Sequence, residues 1–554
     1  MHNVKAVFDR AEWDDCSDQQ AAVIEHALDG RGSIGVVARA GCGKTYLLEK
    51  VTKAIIQYER GGLIAMAFNT EIADELDSRF KQAGYDFRAA AAGTVHSFGL
   101  RAWRRAAPTV KVDDDKVSNI IKTLAGGDRS SDYFLAASPI EKLVSLAKQK
   151  ALGHVGQIDD TEAWVEIFEH FNIEDSLEEG VAPSSVIRCA QRVYKQSLES
   201  CKEVVDCDDM LLAPLYYKAS FLQKKWILLD EAQDTNAARR LVALAMLNPY
   251  AGRMIYVGDP AQAIYGFTGA DSNSMELLRM ATNATVMPLN VTRRCPKSVV
   301  AAAQQFVPDF VAHEDAPEGA VRSISFDDLD EEGLTKDDVI LCRLTWPLVQ
   351  TALTLVGKGI ACRVEGRDIG EELVTLAQRR EADNLWDLMQ KLDTYQREQN
   401  AKFIAKGEEY HAERLADKVD CLRVIIKTCL SESKTGVDAL VEKIGGMFGS
   451  TKGGEMLTLA TGHRSKGREW RRVYLYGRET WLPSPHAKKD WQKDQEQHLE
   501  YVMLTRSKGE LIDVPARPRE RTVAKTQHRV QQTAAEYVAG AEIEEEEPVR
   551  GISR

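Results

Sequence analysis

A loop of small residues between an apolar run and a helical pattern constrains the fold more than any other segment. The apolar run is Ser33-Ile34-Gly35-Val36-Val37-Ala38, and the loop reads Ala40-Gly41-Cys42-Gly43-Lys44-Thr45, with a helix predicted from Lys44 to Ile56. The backbone N–H groups of such a loop, together with the N-terminus of the helix, can surround phosphate groups. We therefore predict that residues 40–45 bind a nucleotide, with Lys44 at the β- and γ-phosphates and Thr45 on Mg²⁺. An ordinary glycine-rich turn is the alternative, because the full pattern has Gly where this chain has Ala38.

Consecutive carboxylates at the end of another apolar run add a second half to the predicted site. The segment is Trp226-Ile227-Leu228-Leu229-Asp230-Glu231-Ala232-Gln233-Asp234. A parallel sheet presents its ligand groups at the carboxyl ends of its strands. We predict that Asp230 holds Mg²⁺ and that Glu231 orients and deprotonates the attacking water. A solvated acidic helix cap would explain one of these carboxylates, but it does not explain the whole run.

Apolar runs alternate with helical patterns along the chain, which is typical of parallel α/β sheets. The runs lie at 33–38, 63–68, 226–230 and 254–258, and again at 338–342, 360–364, 456–460 and 472–476. Amphipathic helical patterns occupy 101–204 and 376–451. The sequence therefore predicts an α/β protein with two parallel sheets, each carrying a helical insertion.

The charge total does not exclude a nucleic-acid partner. The 554 residues include 72 Lys and Arg against 84 Asp and Glu, which gives a formal net charge of −12. Binding depends on where the cations lie rather than on their sum, so a local basic groove is compatible with this balance. From about residue 516 apolar periodicity fades, and five glutamates lie between Glu542 and Glu547. We predict that the tail at 516–554 is disordered.

Cysteine spacing and hydropathy exclude several other classes. The ten cysteines form no C-x-x-C pair, so the zinc and iron–sulfur spacings are absent from the sequence. No apolar stretch approaches the roughly 20 residues that a membrane helix needs. We therefore expect a reducing, cytoplasmic compartment and no membrane partner.

Several motifs occur in a fixed order, and together they resemble superfamily 1 DNA helicases of the UvrD/Rep/PcrA branch. Besides the two segments above, they are Val257-Gly258-Asp259-Pro260-Ala261-Gln262-Ala263-Ile264-Tyr265-Gly266-Phe267, Thr461-Gly462-His463-Arg464-Ser465-Lys466-Gly467-Arg468-Glu469-Trp470 and Tyr501-Val502-Met503-Leu504-Thr505-Arg506. The resemblance implies two RecA-like P-loop NTPase domains. It implies a first domain at 1–100 and 205–285 with a 1B-like insertion at 101–204, and a second at 286–375 and 452–515 with a reduced 2B-like insertion at 376–451.

The resemblance also assigns roles at the nucleotide. Gln19 resembles the glutamine that reads adenine, Gln262 the residue that senses the γ-phosphate, and Glu469 a residue that contacts the nucleotide sugar. Arg294 and Arg506 are similar to the second domain's arginines, which stabilise charge on the transferred phosphoryl group. From local sequence alone, Gln19 is equally a polar residue at a helix start, and a lone arginine is usually a surface cation.

On the DNA side, the resemblance implies seven contact residues: Phe68, Asn69, Thr94, His96, Tyr265, Phe267 and His463. Aromatic faces suit a strand of any sequence, because every base can stack. A core aromatic is the alternative for Phe68 and for Phe267. The chain departs from the family pattern at Thr268, where Arg is usual, and at Arg293, where Tyr commonly stacks on adenine.

The activity implied is that of an ATP- and Mg²⁺-dependent DNA helicase moving 3′→5′ on single strands, in replication, repair or recombination. The expected partners are single-stranded DNA, duplex/single-strand junctions and replication or repair proteins. A monomer is expected, in the nucleoid or, for a virus-encoded protein, the host cytoplasm. One alternative is a DNA-stimulated translocase that remodels protein–DNA or recombination intermediates and unwinds weakly. The other is a non-catalytic loading or scaffold partner. It is disfavoured by the presence of all six residues expected of an active site: Lys44, Thr45, Asp230, Glu231, Arg294 and Arg506.

Overall fold

The computed structural model divides the chain into two compact units. The first unit comprises the described residues up to Arg294 together with Phe306–Asp315, and the second comprises Cys295–Gln305 and the described residues from Ala316 onward. The structure describes residues 15–29, 32–58, 62–67, 70–82, 84–86, 89–171, 173, 177, 181–266, 269–271, 273–405, 409–448, 456–485, 487 and 489–517. Nearly all of the predicted acidic tail lies outside these ranges.

The strands of the first unit are β1 (Ile34–Ala38), β2 (Leu63–Ala67), β3 (Ala90–Thr94), β4 (Lys111–Val112), β5 (Val204–Val205), β6 (Trp226–Leu229), β7 (Arg253–Gly258), β8 (Thr285–Leu289), β9 (Val291–Thr292) and β10 (Val311–Ala312). Six of them form one parallel sheet with the order β3-β2-β6-β7-β1-β8. The short strands form two separate parallel pairs, β4 with β5 and β9 with β10. The apolar runs predicted here are confirmed as β1, β2, β6 and β7. Their side chains are buried, as expected of a parallel sheet that is covered by helices on both faces.

The edge strand β8 corrects the predicted end of the first domain at residue 285. It pairs with β1 along its whole length, from Thr285 beside Ile34 to Leu289 beside Ala38. Pro288 lies in this strand, which is tolerated because the strand is at the edge of the sheet. The first unit therefore continues to Arg294 and resumes at Phe306–Asp315.

The helices of the first unit are α1 (Asp18–Leu28), α2 (Lys44–Tyr58), α3 (Thr70–Gln82), α4 (Val95–Ala106), α5 (Lys116–Ala125), α6 (Asp132–Leu135), α7 (Ala137–Gln149), α8 (Thr161–His170), α9 (Pro183–Glu199), α10 (Asp209–Tyr216), α11 (Ala237–Ala245) and α12 (Ser274–Thr282). Helices α4 to α12 share one hydrophobic core with the sheet. In the part that the structure describes, the segment at 101–204 consists of helices joined by turns, together with β4 and the first residue of β5. Its buried Leu143 and Trp164 belong to the same core as Ile64 and Ile227 of the sheet.

Buried ion pairs join this helical segment to α10. The Lys148 Nζ lies 2.8 Å from Asp209 Oδ1 and also pairs with Asp206, while the Lys116 Nζ lies 2.6 Å from Asp209 Oδ2 and 2.7 Å from the Ser197 carbonyl oxygen. Burial alone lowers the pKa of Lys148, but the negative charges of Asp209 and Asp206 outweigh it and raise the pKa above its usual value. Asp206 and Asp209 thus connect helices α5 and α7, and through Ser197 also α9, to the start of α10.

The second unit contains a second six-stranded parallel sheet with the order β11-β16-β15-β12-β14-β13. Its strands are β11 (Ala320–Ser323), β12 (Asp338–Cys342), β13 (Cys362–Val364), β14 (Leu457–Thr461), β15 (Trp470–Tyr476) and β16 (Ser507–Val514). The α/β class with two parallel, RecA-like sheets is therefore confirmed.

The helices of the second unit pack around its sheet. They are α13 (Lys297–Ala303), α14 (Thr345–Gly357), α15 (Arg367–Gln378), α16 (Leu385–Ala405), α17 (Glu409–Ser431), α18 (Val437–Phe448), α19 (Arg478–Trp481) and α20 (Asp490–Leu504). Leu388 of α16 and Leu422 of α17 share a core with Ile340 and Leu459 of the sheet. None of the helices in the described part of the chain combines the length and apolar character needed to cross a bilayer.

Candidate nucleotide and nucleic-acid site

The predicted site residues of the first unit lie at one edge of its sheet. The phosphate loop follows β1, Asp230 and Glu231 follow β6, and Gln262 lies just after β7. These three strands are neighbours in the order β6-β7-β1. Neighbouring strands lie about 4.8 Å apart, so the predicted nucleotide residues converge at the carboxyl edge. Among the predicted DNA residues, Thr94 ends β3 and His96 follows it, and β3 lies beyond β2 along the same edge.

The phosphate loop depends on two glycines with positive φ. Gly41 has φ of 68° and Gly43 has φ of 82°, a region that side chains other than glycine rarely occupy. A Cβ atom added at Gly41 would lie 2.4 Å from Arg294 Cβ and 2.6 Å from Thr292 Oγ1. The Arg293 N–H also donates to the Gly41 carbonyl oxygen at 3.2 Å. Arg294 therefore lies against the loop, within the first unit, which corrects its expected assignment to the second domain.

Lys44 joins the phosphate loop to the carboxylates after β6. Its Nζ donates to Glu231 Oε1 at 2.9 Å and to Oε2 at 2.8 Å. Burial lowers the pKa of Lys44, but the charges of Glu231 and Asp230 raise it more, so the net pKa is raised. Burial and the neighbouring charge of Glu231 raise the pKa of Asp230 to about 7. Loop and strand end thus form one charged cluster, in which Asp230 is buried and Lys44 and Glu231 are half-buried.

Glu231 is held in an uncommon backbone conformation. Its φ is 47°, and its N–H donates to Asp230 Oδ1 at 2.8 Å. The Gln233 side chain donates from Nε2 to Glu231 Oε2 at 2.6 Å and accepts at Oε1 from the Asp259 N–H at 3.0 Å. Left-handed backbone at a residue other than glycine persists where the surroundings determine it, and such residues cluster at functional sites. The aim of the Glu231 carboxylate is therefore fixed by its neighbours.

Gln262 is also fixed in direction. It is buried, and its Nε2 donates to Asp259 Oδ2 at 2.7 Å. Asp259 is fully buried and accepts from Arg39 Nη1 at 3.0 Å. The sequence analysis did not identify Arg39 as a site residue. An arginine within a loop of alanines, glycines and a cysteine is unusual, and this feature could have pointed to it.

Gln19 already makes a two-point amide contact in this structure. It donates from Nε2 to Asn290 Oδ1 at 2.7 Å and accepts at Oε1 from the Asn290 N–H at 3.0 Å. The preceding Ser17 caps α1, and Gln20 completes the capping box. The Gln19 amide is thus oriented at the end of β8 with both of its polar atoms presented in one plane.

On the predicted DNA side, Thr94 and His96 lie where β3 ends and α4 begins. Thr94 caps α4 by accepting from the Ser97 N–H at 3.2 Å. His96 lines a small cavity with Asp230 and Arg239. Burial and the charge of Arg239 lower the pKa of His96 to about 4, so its ring is neutral at pH 7. Tyr265 is half-buried, whereas Phe68, Asn69 and Phe267 lie outside the described residues.

The predicted residues of the second unit lie next to the ends of its strands. His463 lies after β14, where burial and the charges of Arg343 and Lys466 lower its pKa to about 3. Glu469 is exposed and accepts from Lys508 Nζ at 2.9 Å.

Arg506 is only 1% exposed, in contrast to the phosphate-facing arginine expected at that position. Its guanidinium donates to the carbonyl oxygens of Val502 at 2.8 Å and Arg468 at 3.2 Å. In the conformation described, this side chain ties α20 to the segment before β15.

Two parallel α/β sheets, the first with a Gly-Lys-Thr loop between β1 and α2, define a protein with two RecA-like domains. The family model described as "UvrD/REP helicase N-terminal domain" matches residues 16–282, and the one described as "UvrD-like helicase C-terminal domain" matches residues 366–514. Together these matches cover about three quarters of the chain. The chain belongs to the UvrD/REP helicase family.

Curated relatives are similar at low identity. "DNA helicase II" of Rickettsia typhi is 25% identical over 304 residues, which is 51% of this chain and 43% of the relative. "ATP-dependent DNA helicase Rep" of Escherichia coli is 26% identical over 269 residues, 44% of this chain and 36% of the relative. "ATP-dependent DNA helicase PcrA" of Staphylococcus epidermidis is 24% identical over 305 residues, 50% of this chain and 38% of the relative. The chain spans less than half the length of these relatives.

Proposed function

We propose that the protein is an ATP-dependent DNA helicase that moves along single-stranded DNA in the 3′→5′ direction. The observation that carries the proposal is the convergence of Lys44, Asp230 and Glu231 at the carboxyl ends of β1 and β6, with Gln262 just after β7, the strand between them. Family membership and the names of the relatives, which are ATP-dependent DNA helicases, support the same activity.

The phosphate loop and Lys44 would bind the triphosphate, with Lys44 exchanging its contact with Glu231 for one with phosphate oxygens. The donor set fits Mg²⁺, because Asp230 and Thr45 offer oxygen ligands and a buried carboxylate with a raised pKa favours an added positive charge. Magnesium bound there would neutralise charge on the phosphates. Gln19 would bind adenine by redirecting the two amide atoms that now contact Asn290.

Glu231 would accept the proton of the attacking water. Gln233 orients this carboxylate by donating to one of its oxygens at 2.6 Å. Gln262 would contact the γ-phosphate, and Arg294, lying against the loop, would offset the developing charge. We assign Glu469 and Arg506 to nucleotide contacts from their motifs. For Arg506 this requires release of the Val502 and Arg468 carbonyl oxygens.

Single-stranded DNA would lie along the strand ends beside the nucleotide site. Thr94 and His96 follow β3, which places them two strands from β6. Tyr265 offers an aromatic face, and base–aromatic stacking contributes about 1–3 kcal/mol per base with little sequence preference. By motif, Phe68, Asn69, Phe267 and His463 complete this set.

The remaining assignments are also proposals. The helices at 101–204 correspond to a 1B-like insertion, and those at 376–451 to a reduced 2B-like insertion. The substrates are single strands and duplex/single-strand junctions, so we place the protein in the compartment that holds DNA, the cytoplasm. Replication, repair or recombination is the process served.

Phosphate release measured with and without oligo-dT tests the activity. The wild-type protein should hydrolyse ATP in the presence of Mg²⁺, and oligo-dT should accelerate it. Lys44→Ala should lose hydrolysis, because the loop then lacks the cation for the phosphates. Glu231→Gln should still bind a fluorescent ATP analogue while hydrolysis falls by 100-fold or more, roughly the effect of losing a general base.

The variant results can contradict the proposal at two points. Hydrolysis by Lys44→Ala at the wild-type rate would refute the nucleotide site. Wild-type turnover by Glu231→Gln would refute Glu231 as the base. Arg79→Ala, on the exposed face of α3, is the control for an unrelated substitution in the same unit.

A translocase that displaces bound proteins and unwinds weakly is the second candidate. It is favoured by the packing of α16 and α17 into the core of the second sheet, because the side chains buried there are not available to a duplex. Displacement of a DNA-bound protein without separation of the strands would support it over the helicase.

A further inference from the structure

Arg39 connects three parts of the first unit that are far apart in sequence. It follows β1 directly, and its Nη1 donates to Asp259 Oδ1 at 3.0 Å. Its Nε and Nη2 both lie near Asp309 Oδ1, at 3.0 Å and 2.8 Å. The Arg39 side chain is 16% exposed, so most of its guanidinium is committed to these two carboxylates.

The Asp259 carboxylate is the group that also orients Gln262. Its Oδ2 accepts from Gln262 Nε2 at 2.7 Å, while its Oδ1 accepts from both Arg39 and the Ala261 N–H at 3.2 Å. Asp259 is fully buried, and Arg39 is the cation that pairs with it. Removing Arg39 therefore leaves a buried charge without its ion pair and frees the acceptor that fixes Gln262.

Asp309 lies on the segment Phe306–Asp315, which has an unusual place in the chain. Both stretches that flank it, Cys295–Gln305 and the residues from Ala316, belong to the second unit, yet the segment itself belongs to the first. Two hydrogen bonds hold the segment there. The Val311 N–H donates to the Asn290 carbonyl oxygen at 2.9 Å, and Asn290 Nδ2 donates to the Asp309 carbonyl oxygen at 2.8 Å.

We propose that Arg39 is a positioning residue that couples the Gln262 turn to Phe306–Asp315, and so links the γ-phosphate to the chain that enters the second unit. The inference rests on the proposed function, and it adds a residue with no role in that scheme. Arginine suits the task, because its planar fork pairs with two carboxylates at once, whereas an ammonium group is a single point charge. A change at Gln262 is thereby transmitted through Asp259 and Arg39 to Asp309.

Steady-state ATP hydrolysis tests the positioning role through a split between kcat and KM. A small misplacement of a catalytic group can cost up to about 100-fold, so Arg39→Ala should lower kcat by roughly 10- to 100-fold and change KM for ATP less than threefold. Arg39→Lys should recover part of kcat. Asp309→Asn should mainly reduce the stimulation of hydrolysis by oligo-dT. Arg79→Ala, which removes an arginine paired with Glu49 and Glu75, is the matched control and should behave as wild type.

Amide hydrogen exchange gives a readout that does not need turnover. In Arg39→Ala, exchange should rise in peptides covering residues 259–263 and 306–313 and stay unchanged in α5. Unchanged exchange in both peptides would overturn the coupling, and wild-type kcat in Arg39→Ala would overturn the positioning role. A wild-type protein without ATP hydrolysis would instead refute the proposed function, and exchange would still decide whether Arg39 holds the two segments together.

Discussion

Asp230 carries an electrostatic cost that a neutral isostere should remove. It is 3% exposed, and its pKa is raised to about 7 by burial and by the charge of Glu231, despite the attraction of Lys44. Between pH 4 and pH 7 the unfolded chain has lost the Asp230 proton while the folded chain keeps it. Stability contributed by this group therefore falls as pH rises through that window and is constant above it. Asp230→Asn keeps an oxygen to accept the Glu231 N–H and cannot ionise.

The expected gain follows from the difference between the two pKa values. One pKa unit corresponds to about 1.4 kcal/mol, so a shift from 3.8 to about 7 corresponds to about 4 kcal/mol at pH 8. At pH 5 the same expression gives about 2 kcal/mol, since the window is only partly crossed. These are upper values, because the native state can relax around the charge.

Urea unfolding of wild type and Asp230→Asn at pH 5 and pH 8 measures this difference. Asp230→Asn should be the more stable protein at both values, by a larger margin at pH 8, and should be inactive in Mg²⁺-dependent hydrolysis. Asp114→Asn, at an exposed position of the same unit, is the control and should shift neither midpoint. An Asp230→Asn protein that is less stable than wild type at pH 8 would refute the reasoning.

Three further substitutions test other parts of the molecule. Because the pKa of His96 is lowered to about 4, the unfolded chain takes up a proton before the folded one, and the wild-type protein loses stability as pH falls below 6.5. In urea titrations at pH 7.5 and pH 5, His96→Gln should therefore lose about 2 kcal/mol less stability than wild type. An equal loss in both proteins would contradict this prediction. Lys148→Met should lower the free energy of unfolding by about 3–5 kcal/mol, because Asp206 and Asp209 stay buried without their partner. Lys195→Met removes the lysine of an exposed ion pair and should change the free energy of unfolding little in the same urea titration. Tyr265→Ala should keep oligo-dT-independent hydrolysis and raise the oligo-dT concentration needed for half-maximal stimulation by 5-fold or more.

Strands with a strong apolar signal could be predicted from sequence, and those with a weak one could not. β1 and β6 are rich in Val, Ile and Leu, so the sequence indicates that each is a buried strand. β3 reads Ala-Ala-Ala-Gly-Thr and β8 contains Pro288, and neither matches strand propensity. Both become strands because the sheet offers hydrogen-bond partners at its two edges, which is information that lies elsewhere in the chain.

The site shows the same division between local and distant information. The position of Lys44, Asp230 and Glu231 just after strands could be predicted, because each lies within a few residues of a strong apolar run. The ion pair between Arg39 and Asp309 joins positions 270 residues apart, so no local sequence pattern predicts it. The burial of Arg506 and its hydrogen bonds to backbone carbonyl oxygens likewise could not be predicted from the sequence, because a motif specifies a residue but not its side-chain conformation.

Strand displacement from partial duplexes tests the central claim most directly. Two substrates of equal duplex length, one with a 3′ single-stranded tail and one with a 5′ tail, are incubated with ATP and Mg²⁺. The wild-type protein should release the labelled strand from the 3′-tailed substrate and leave the 5′-tailed one paired, and Glu231→Gln should release neither. Release from the 5′-tailed substrate alone would contradict the polarity, and release by Glu231→Gln at the wild-type rate would contradict ATP hydrolysis as the source of the movement.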